Sequence, residues 1–141
     1  HGTMFYKAVK EGLIDPARSV QVGIRTVNPN TLGLHCIDAR MVHERGPAEV
    51  ARMIKAILGD AQVYVSFDID CLDPAFAPGT GTPVWGGLSS AQVAIILRDL
   101  AGIDVVGRDV RIANRVRLGR GGLWREYLWQ DEAEGRCLSS G

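Results

Sequence analysis

The stretch Ser66-Phe67-Asp68-Ile69-Asp70-Cys71-Leu72-Asp73-Pro74 joins an apolar strand to a cluster of carboxylates, and the turn-rich Ala75-Phe76-Ala77-Pro78-Gly79-Thr80-Gly81-Thr82-Pro83 follows it directly. Val63, Val65, Phe67 and Ile69 alternate with Tyr64, Ser66, Asp68 and Asp70. A strand sends successive side chains to opposite faces, so the alternation predicts that Asp68 and Asp70 share a side and converge on one pocket. Carboxylate oxygens are hard ligands that suit Mn²⁺ or Mg²⁺. Asp-x-Asp alone is a weak signal that more often marks two solvated aspartates at a strand end.

The elements on either side set the fold class. Residues 2–12 read as a helix with Met4, Phe5, Ala8 and Val9 on one side, and Val20 to Arg25 alternates as a strand. A further strand is expected over Leu34–Ile37. Gly46-Pro47 opens a clear helix with Val50, Met53, Ile54, Ile57 and Leu58 on its apolar stripe, and Gly59 closes it. Met53 there is core packing. Ser89-Ser90-Ala91-Gln92 has the spacing of a capping box, and Val93, Ile96, Leu97 and Leu100 form the apolar face of the helix it starts. Ile103 to Gly107 reads as a buried strand. Strands alternating with amphipathic helices imply an α/β fold of three αβα layers around a mainly parallel sheet. Ligands bind such sheets beyond the carboxyl ends of the strands, where Asp68 and Asp70 lie.

Composition narrows the function classes. The chain has 141 residues, 46% of them hydrophobic and 23% charged, enough for one domain with a core. Formal net charge is zero, so no global field draws it to nucleic acid or an anionic membrane. Cys36, Cys71 and Cys137 are odd in number and widely spaced, which argues against a disulfide framework or a zinc knuckle and fits a reducing cytoplasm. The apolar run Val93–Leu100 is interrupted by Arg98 and Asp99, so no membrane span is expected.

Other motifs have structural readings. The Pro78-Gly79-Thr80-Gly81-Thr82-Pro83 loop lacks the Gly-Lys-Ser/Thr ending of a phosphate loop, and Val84 stands where a dinucleotide fingerprint needs glycine. It holds a fixed conformation beside the carboxylates instead. Asp73 before Pro74 reads as a turn acceptor. Strand alternation puts His35 and Cys36 on opposite faces, so His35, Cys36 and Asp38 read as structural residues. His43, between Val42 and Glu44-Arg45, reads as a solvated histidine in a polar connection.

The run from Ser66 through Pro83, continued by Gly86-Gly87-Leu88, resembles the signature of the ureohydrolases, the arginases and agmatinases. His1-Gly2-Thr3-Met4-Phe5-Tyr6, Glu11 to Ser19 and Val22-Gly23-Ile24-Arg25 are similar to the agmatinase branch, and the likeness extends from His1 to about Asp109. The resemblance implies the arginase-like fold and a binuclear manganese centre whose hydroxide attacks a guanidinium carbon. By it, Asp68 bridges both ions, Asp70 ligates one, and His1, within the His-Gly-Thr motif, assists proton transfer. It further implies hydrolysis of agmatine to putrescine and urea, with arginase and guanidinobutyrase chemistry as alternatives on the same centre. The partners implied are a small guanidino substrate and further copies of the full-length chain, with no nucleic acid and no membrane.

Two departures matter. Family members carry Asp-Ala-His-x-Asp and an earlier histidine upstream of His-Gly-Thr, and this sequence begins at that motif. The expectation is therefore an incomplete C-terminal part of a ureohydrolase domain over residues 1–109, of which a non-catalytic fragment is the alternative reading. Secondly, the family's Gly-x-Asp-Val-Val-Glu-Val reads here Gly107-Arg108-Asp109-Val110-Arg111-Ile112-Ala113, so Ile112 replaces a substrate-binding glutamate. Residues 110–141 form a divergent Arg/Gly-rich tail, read as a recombined end or a non-native reading frame. A nucleic-acid-binding role for this tail is disfavoured by its lack of an aromatic stacking pattern before Trp124.

Overall fold

The computed structural model describes residues 3–27 and 29–111. His1, Ile112 and the arginine-rich tail lie outside them.

Helix α1 spans Thr3–Lys10. Its end is a Schellman turn: Gly12 N–H donates to Val9 O (3.1 Å) and Leu13 N–H to Ala8 O (2.8 Å), with Gly12 at φ +67°. Asp15 then caps a short 3₁₀ turn over Pro16–Arg18. Strands β1 (Val20–Ile24) and β2 (His35–Asp38) pair in parallel, Val22 opposite Ile37. β2 thus begins and ends one residue later than the expected 34–37.

A helix absent from the sequence reading follows at once. In α2 (Ala39–Arg45), the Asp38 carboxylate accepts from Met41 N–H (2.7 Å), while Ala39 and Val42 are buried. Helix α3 (Pro47–Leu58) forms where the sequence predicts it, burying Val50, Ala51, Ile54 and Leu58 and ending at Gly59. Strand β3 covers Val63–Asp68 and helix α4 Ser90–Asp99; strand β4, Val105–Arg111, pairs in parallel with β3. α4 starts with the expected capping box, Ser89 and Gln92 each bonding the other's backbone. Of its expected apolar face, Val93 and Ile96 are buried and Leu100 packs on the core, but Leu97 is 46% exposed. One core gathers Ile37, Val42, Val50, Ile54, Leu72, Leu88, Val93 and Ile96, joining α2, α3 and α4 to β2 and the segments beyond β3.

The α/β class with parallel strands and helices is as expected, and the architecture is partial. Among the described residues the strands form two two-stranded sheets, β1–β2 and β3–β4, not one continuous sheet. β4 starts two residues later than expected and continues to Arg111, past the 109/110 boundary drawn from the sequence. It is not a buried strand either: Val105 is exposed and Val106 is 59% exposed.

Candidate metal centre

β3 delivers Asp68 at its carboxyl end, and there the backbone leaves the strand. Ile69–Cys71 is a 3₁₀ turn, capped by Asp68, whose Oδ1 accepts the Asp70 N–H (3.0 Å). The alternation that predicted a shared face therefore stops at Asp68, and the contact between the two residues runs from the Asp70 backbone to the Asp68 carboxylate. The Asp68 side chain is exposed and Asp70 is half-buried.

The turn is braced from behind. Arg25, just past the end of β1, donates to three carbonyls: Asp70 O (2.6 Å), Cys71 O (3.1 Å) and Gly23 O (3.1 Å). A guanidinium presents five donors in a fixed plane, which suits such convergent carbonyls. Gly23 makes the approach possible, since a Cβ there would lie 3.2 Å from Cys71 Cβ. Burial pushes the Cys71 thiol up to about 11, with the Asp68 charge acting in the same direction. At neutral pH it is a protonated thiol, unsuited to act as a thiolate ligand or nucleophile.

In front, Thr82 Oγ1 donates to Asp70 Oδ2 (2.6 Å). The other oxygen, Asp70 Oδ1, is buried and has no hydrogen-bond partner. A buried carboxylate oxygen without a donor is costly, and a cation is one of the few things that satisfies it. Asp68 can contribute as well, because an oxygen that accepts one N–H keeps further lone-pair capacity. These hard donors fit part of the shell of a manganese ion. Among the described residues, no group of three His, Cys, Asp or Glu side chains is placed to hold a metal.

Asp73 acts as the turn acceptor the sequence suggests. Its Oδ1 takes the Ala75 N–H (3.0 Å) and its Oδ2 those of Gly86 (2.8 Å) and Gly87 (3.1 Å). The Ala75 N–H is the main influence holding its carboxyl below the usual carboxylate range; burial opposes it, and Gly86, Gly87 and the Arg25 charge add to the lowering. His35 Nε2 lies 3.1 Å from Ala17 O and Asp38 caps α2, both structural roles, as expected. His43 is exposed, as expected, but not in a loop: it sits in α2, its ring between Gly86 O and the Gln92 side chain.

Thr82 and Arg25 went unassigned in the sequence reading. Thr82 carried a usable signal, a hydroxyl between Gly81 and Pro83 in a loop already placed beside the carboxylates. Arg25 carried none, since nothing local links it to a turn 45 residues away.

With this geometry in hand, comparison with known proteins identifies the class. The arginase family model matches residues 1–114, so the chain belongs to the arginase family. Among individual proteins, the agmatinase of Chromobacterium violaceum is 61% identical over 110 residues, which is 78% of this chain and 34% of that protein. The crystal structure of a hypothetical agmatinase from Burkholderia thailandensis superposes with a TM-score of 0.78 at 60% identity, covering 80% of this chain and 36% of that one. Proclavaminate amidino hydrolase from Streptomyces clavuligerus superposes at 0.76 with 44% identity, covering 81% and 39%. The chain thus spans about a third of the length of the curated relatives it matches.

Proposed function

We propose that this chain is the C-terminal part of a manganese-dependent agmatinase that hydrolyses agmatine to putrescine and urea. The observation that carries the reading is the orphaned, buried Oδ1 of Asp70, in the turn that the Asp68 carboxylate caps, in a chain whose relatives at 58–61% identity are agmatinases. Asp68 and Asp70 would hold the metal, Asp68 between two ions and Asp70 on one. Manganese bound there supplies Lewis acidity and brings the pKa of a coordinated water towards neutrality.

This chain's own residues do the positioning. Arg25 fixes the backbone of the 69–71 turn, and Thr82, by donating to Oδ2, leaves Oδ1 of Asp70 as the oxygen that would hold a cation. His1, outside the described residues, is assigned proton transfer next to the substrate, a task suited to an imidazole that titrates near neutrality. The partners proposed are a small guanidino substrate and further copies of the complete chain, with no role for nucleic acid or membrane. No helix among the described residues is long and apolar enough to cross a membrane. The odd number and wide spacing of the cysteines motivate the proposal of a reducing, cytoplasmic setting. The divergent end expected over 110–141 starts later than the sequence suggests, since β4 runs to Arg111 and the family match to residue 114; residues 115–141 are proposed as an end outside the catalytic domain.

The test is a chimera in which the part of the Chromobacterium violaceum agmatinase preceding the matched region is fused ahead of His1 and that protein's own C-terminal end replaces the residues from Ile112 onward, restoring the glutamate that the family motif carries there. Agmatine should lead a panel with arginine and 4-guanidinobutyrate in kcat/KM. A different leader would overturn the substrate, and no urea from any of them would overturn the activity. A second reading, a non-catalytic ureohydrolase fragment, is favoured for the 141-residue chain alone by the two-carboxylate donor set. Urea release by that exact chain would refute it.

A further inference from the structure

The sequence gives His43 no task, yet both nitrogens of its ring are engaged. Gln92 decides what each nitrogen does. In the capping box of α4, Gln92 Oε1 accepts the Ser89 N–H (2.9 Å) while Ser89 Oγ accepts the Gln92 N–H (3.1 Å), which fixes the orientation of the Gln92 amide. Its Nε2, a donor only, therefore faces His43 Nδ1 at 3.2 Å. Nδ1 must accept, so the proton resides on Nε2, which donates to Gly86 O at 3.3 Å. Only the neutral Nε2–H tautomer satisfies both contacts; a doubly protonated ring would set an N–H against the Gln92 amide.

Gly86 is thereby held at both ends of its residue. Its N–H is on Asp73 and its carbonyl on His43, in a positive-φ conformation (+79°) that favours glycine. The loop is pinned further along by Gly87 N–H on Asp73 and by Leu88, which exchanges bonds with Cys71 O (3.0 Å) and Asp73 N–H (2.9 Å). At its other end the same loop carries Thr82 to Asp70. We propose that His43, as its neutral Nε2–H tautomer, is a positioning residue that clamps Gly86 to α2 and α4 and so holds the loop that presents Thr82 to Asp70. Its bearing on metal binding rests on the agmatinase reading; the clamp itself does not.

The test is nuclear magnetic resonance on the isotope-labelled 141-residue chain at about pH 8.5, two units above the ordinary imidazole pKa of about 6.5. The His43 ring should show one tautomer, Nδ1 bare and Nε2 protonated, and Gln92→Ala should release it to a mixture. His43→Ala should speed amide exchange at Gly86 and Gly87 roughly three- to tenfold, the range expected for one hydrogen bond of typical net strength. The Thr82 and Asp70 resonances should shift while exchange at Ile54 in α3 stays unchanged. His43→Gln, which restores a donor near the position of Nε2, should recover most of the protection. A tautomer mixture in the unaltered chain overturns the proposal, even if His43→Ala fails to fold. So does unchanged protection at Gly86 and Gly87, or acceleration that Ile54 shares equally. None of these readouts involves a metal, so their failure leaves the agmatinase reading standing, and failure of the urea assay leaves the clamp standing.

Discussion

Asp70 carries the most exacting demand in the chain, because one of its oxygens is spoken for by Thr82 while the other lies buried without a donor. Asp68 has a different burden: it caps the turn that positions Asp70 and is proposed to lie between two cations. In the chimera, Asp68→Asn keeps the shape of the cap but removes a negative charge from that position. Loss of a direct ligand should exceed the 10- to 100-fold effect typical of changes one shell further out, so kcat should fall roughly a thousand-fold or more, with metal content reduced at both sites. Asp70→Asn should mainly deplete one ion. Phe67→Leu is the control, since Phe67 packs on the core; it should cost about 1–2 kcal/mol and leave metal content near normal. Two manganese ions and near-normal urea release in Asp68→Asn would remove the metal assignment. Asp73 gives a second expectation at this scale. Its carboxyl is depressed in the folded state, so its contribution is present above the unfolded value of about 3.9 and is lost as pH falls through the lower folded value. The melting temperature of Asp73→Asn should lie below that of the unaltered chain at neutral pH, and the gap should close in acid. A gap independent of pH would show that charge plays no part.

At the scale of elements, steric room separates two glycines that the sequence treats alike. A Cβ on Gly87 would lie 2.4 Å from Asp73 N and 2.5 Å from Leu72 C, backbone atoms of the turn that follows the carboxylates. On Gly107 it would meet the ring of Tyr64 at 2.8 Å, and that side chain is exposed and free to swing. Gly87→Ala should therefore cost about 3 kcal/mol or more, while Gly107→Ala should cost about 1 kcal/mol or less, as urea unfolding would measure. Ser89→Ala, which removes the cap of α4, should cost about 1 kcal/mol. What was legible in the sequence follows the same local logic. The capping box, the Gly46-Pro47 start of α3 and the turn role of Asp73 were readable because each is decided by residues within a few positions of one another. α2 escaped notice because its buried side is only Ala39 and Val42, too short a stripe to register as a period, although Asp38 three residues before Met41 marks its cap. The continuation of β3 through Asp70 was expected from unbroken alternation, and the competing 3₁₀ turn is favoured by an Asp68 side chain bonding two residues ahead, which alternation does not report. The contacts of Arg25 with the 69–71 turn and of His43 with Gly86 join residues more than 40 positions apart, so no local pattern encodes them.

At the scale of the whole molecule, the sheets state how much of the domain is at hand. Parallel sheets ordinarily have both faces covered, and a two-stranded sheet is marginal alone. Here β3–β4 leaves Tyr64 and Val106 exposed on strands joined to no third one among the described residues, while the relatives carry about two thirds of their length outside the matched region. The metal site is in the same position as the sheet. Asp68 and Asp70 supply hard oxygens, but no third His, Cys, Asp or Glu joins them among the described residues, and a binuclear catalytic centre needs several fixed ligands for each ion. Calorimetric titration with Mn²⁺ should therefore separate two molecules that share every residue described here. The 141-residue chain should bind weakly, with Kd on the order of millimolar and a binding free energy near 4 kcal/mol in magnitude. The chimera should take up about two ions per chain with Kd in the micromolar range or tighter, a gain of at least a thousand-fold that the added ligands and the covered sheet would provide together. Asp68→Asn in the chimera should then abolish most of that gain, because the proposed bridging carboxylate serves both ions. Tight two-ion binding by the short chain alone would show that it holds ligands beyond the described pair, and weak binding by a folded chimera would count against the manganese centre itself.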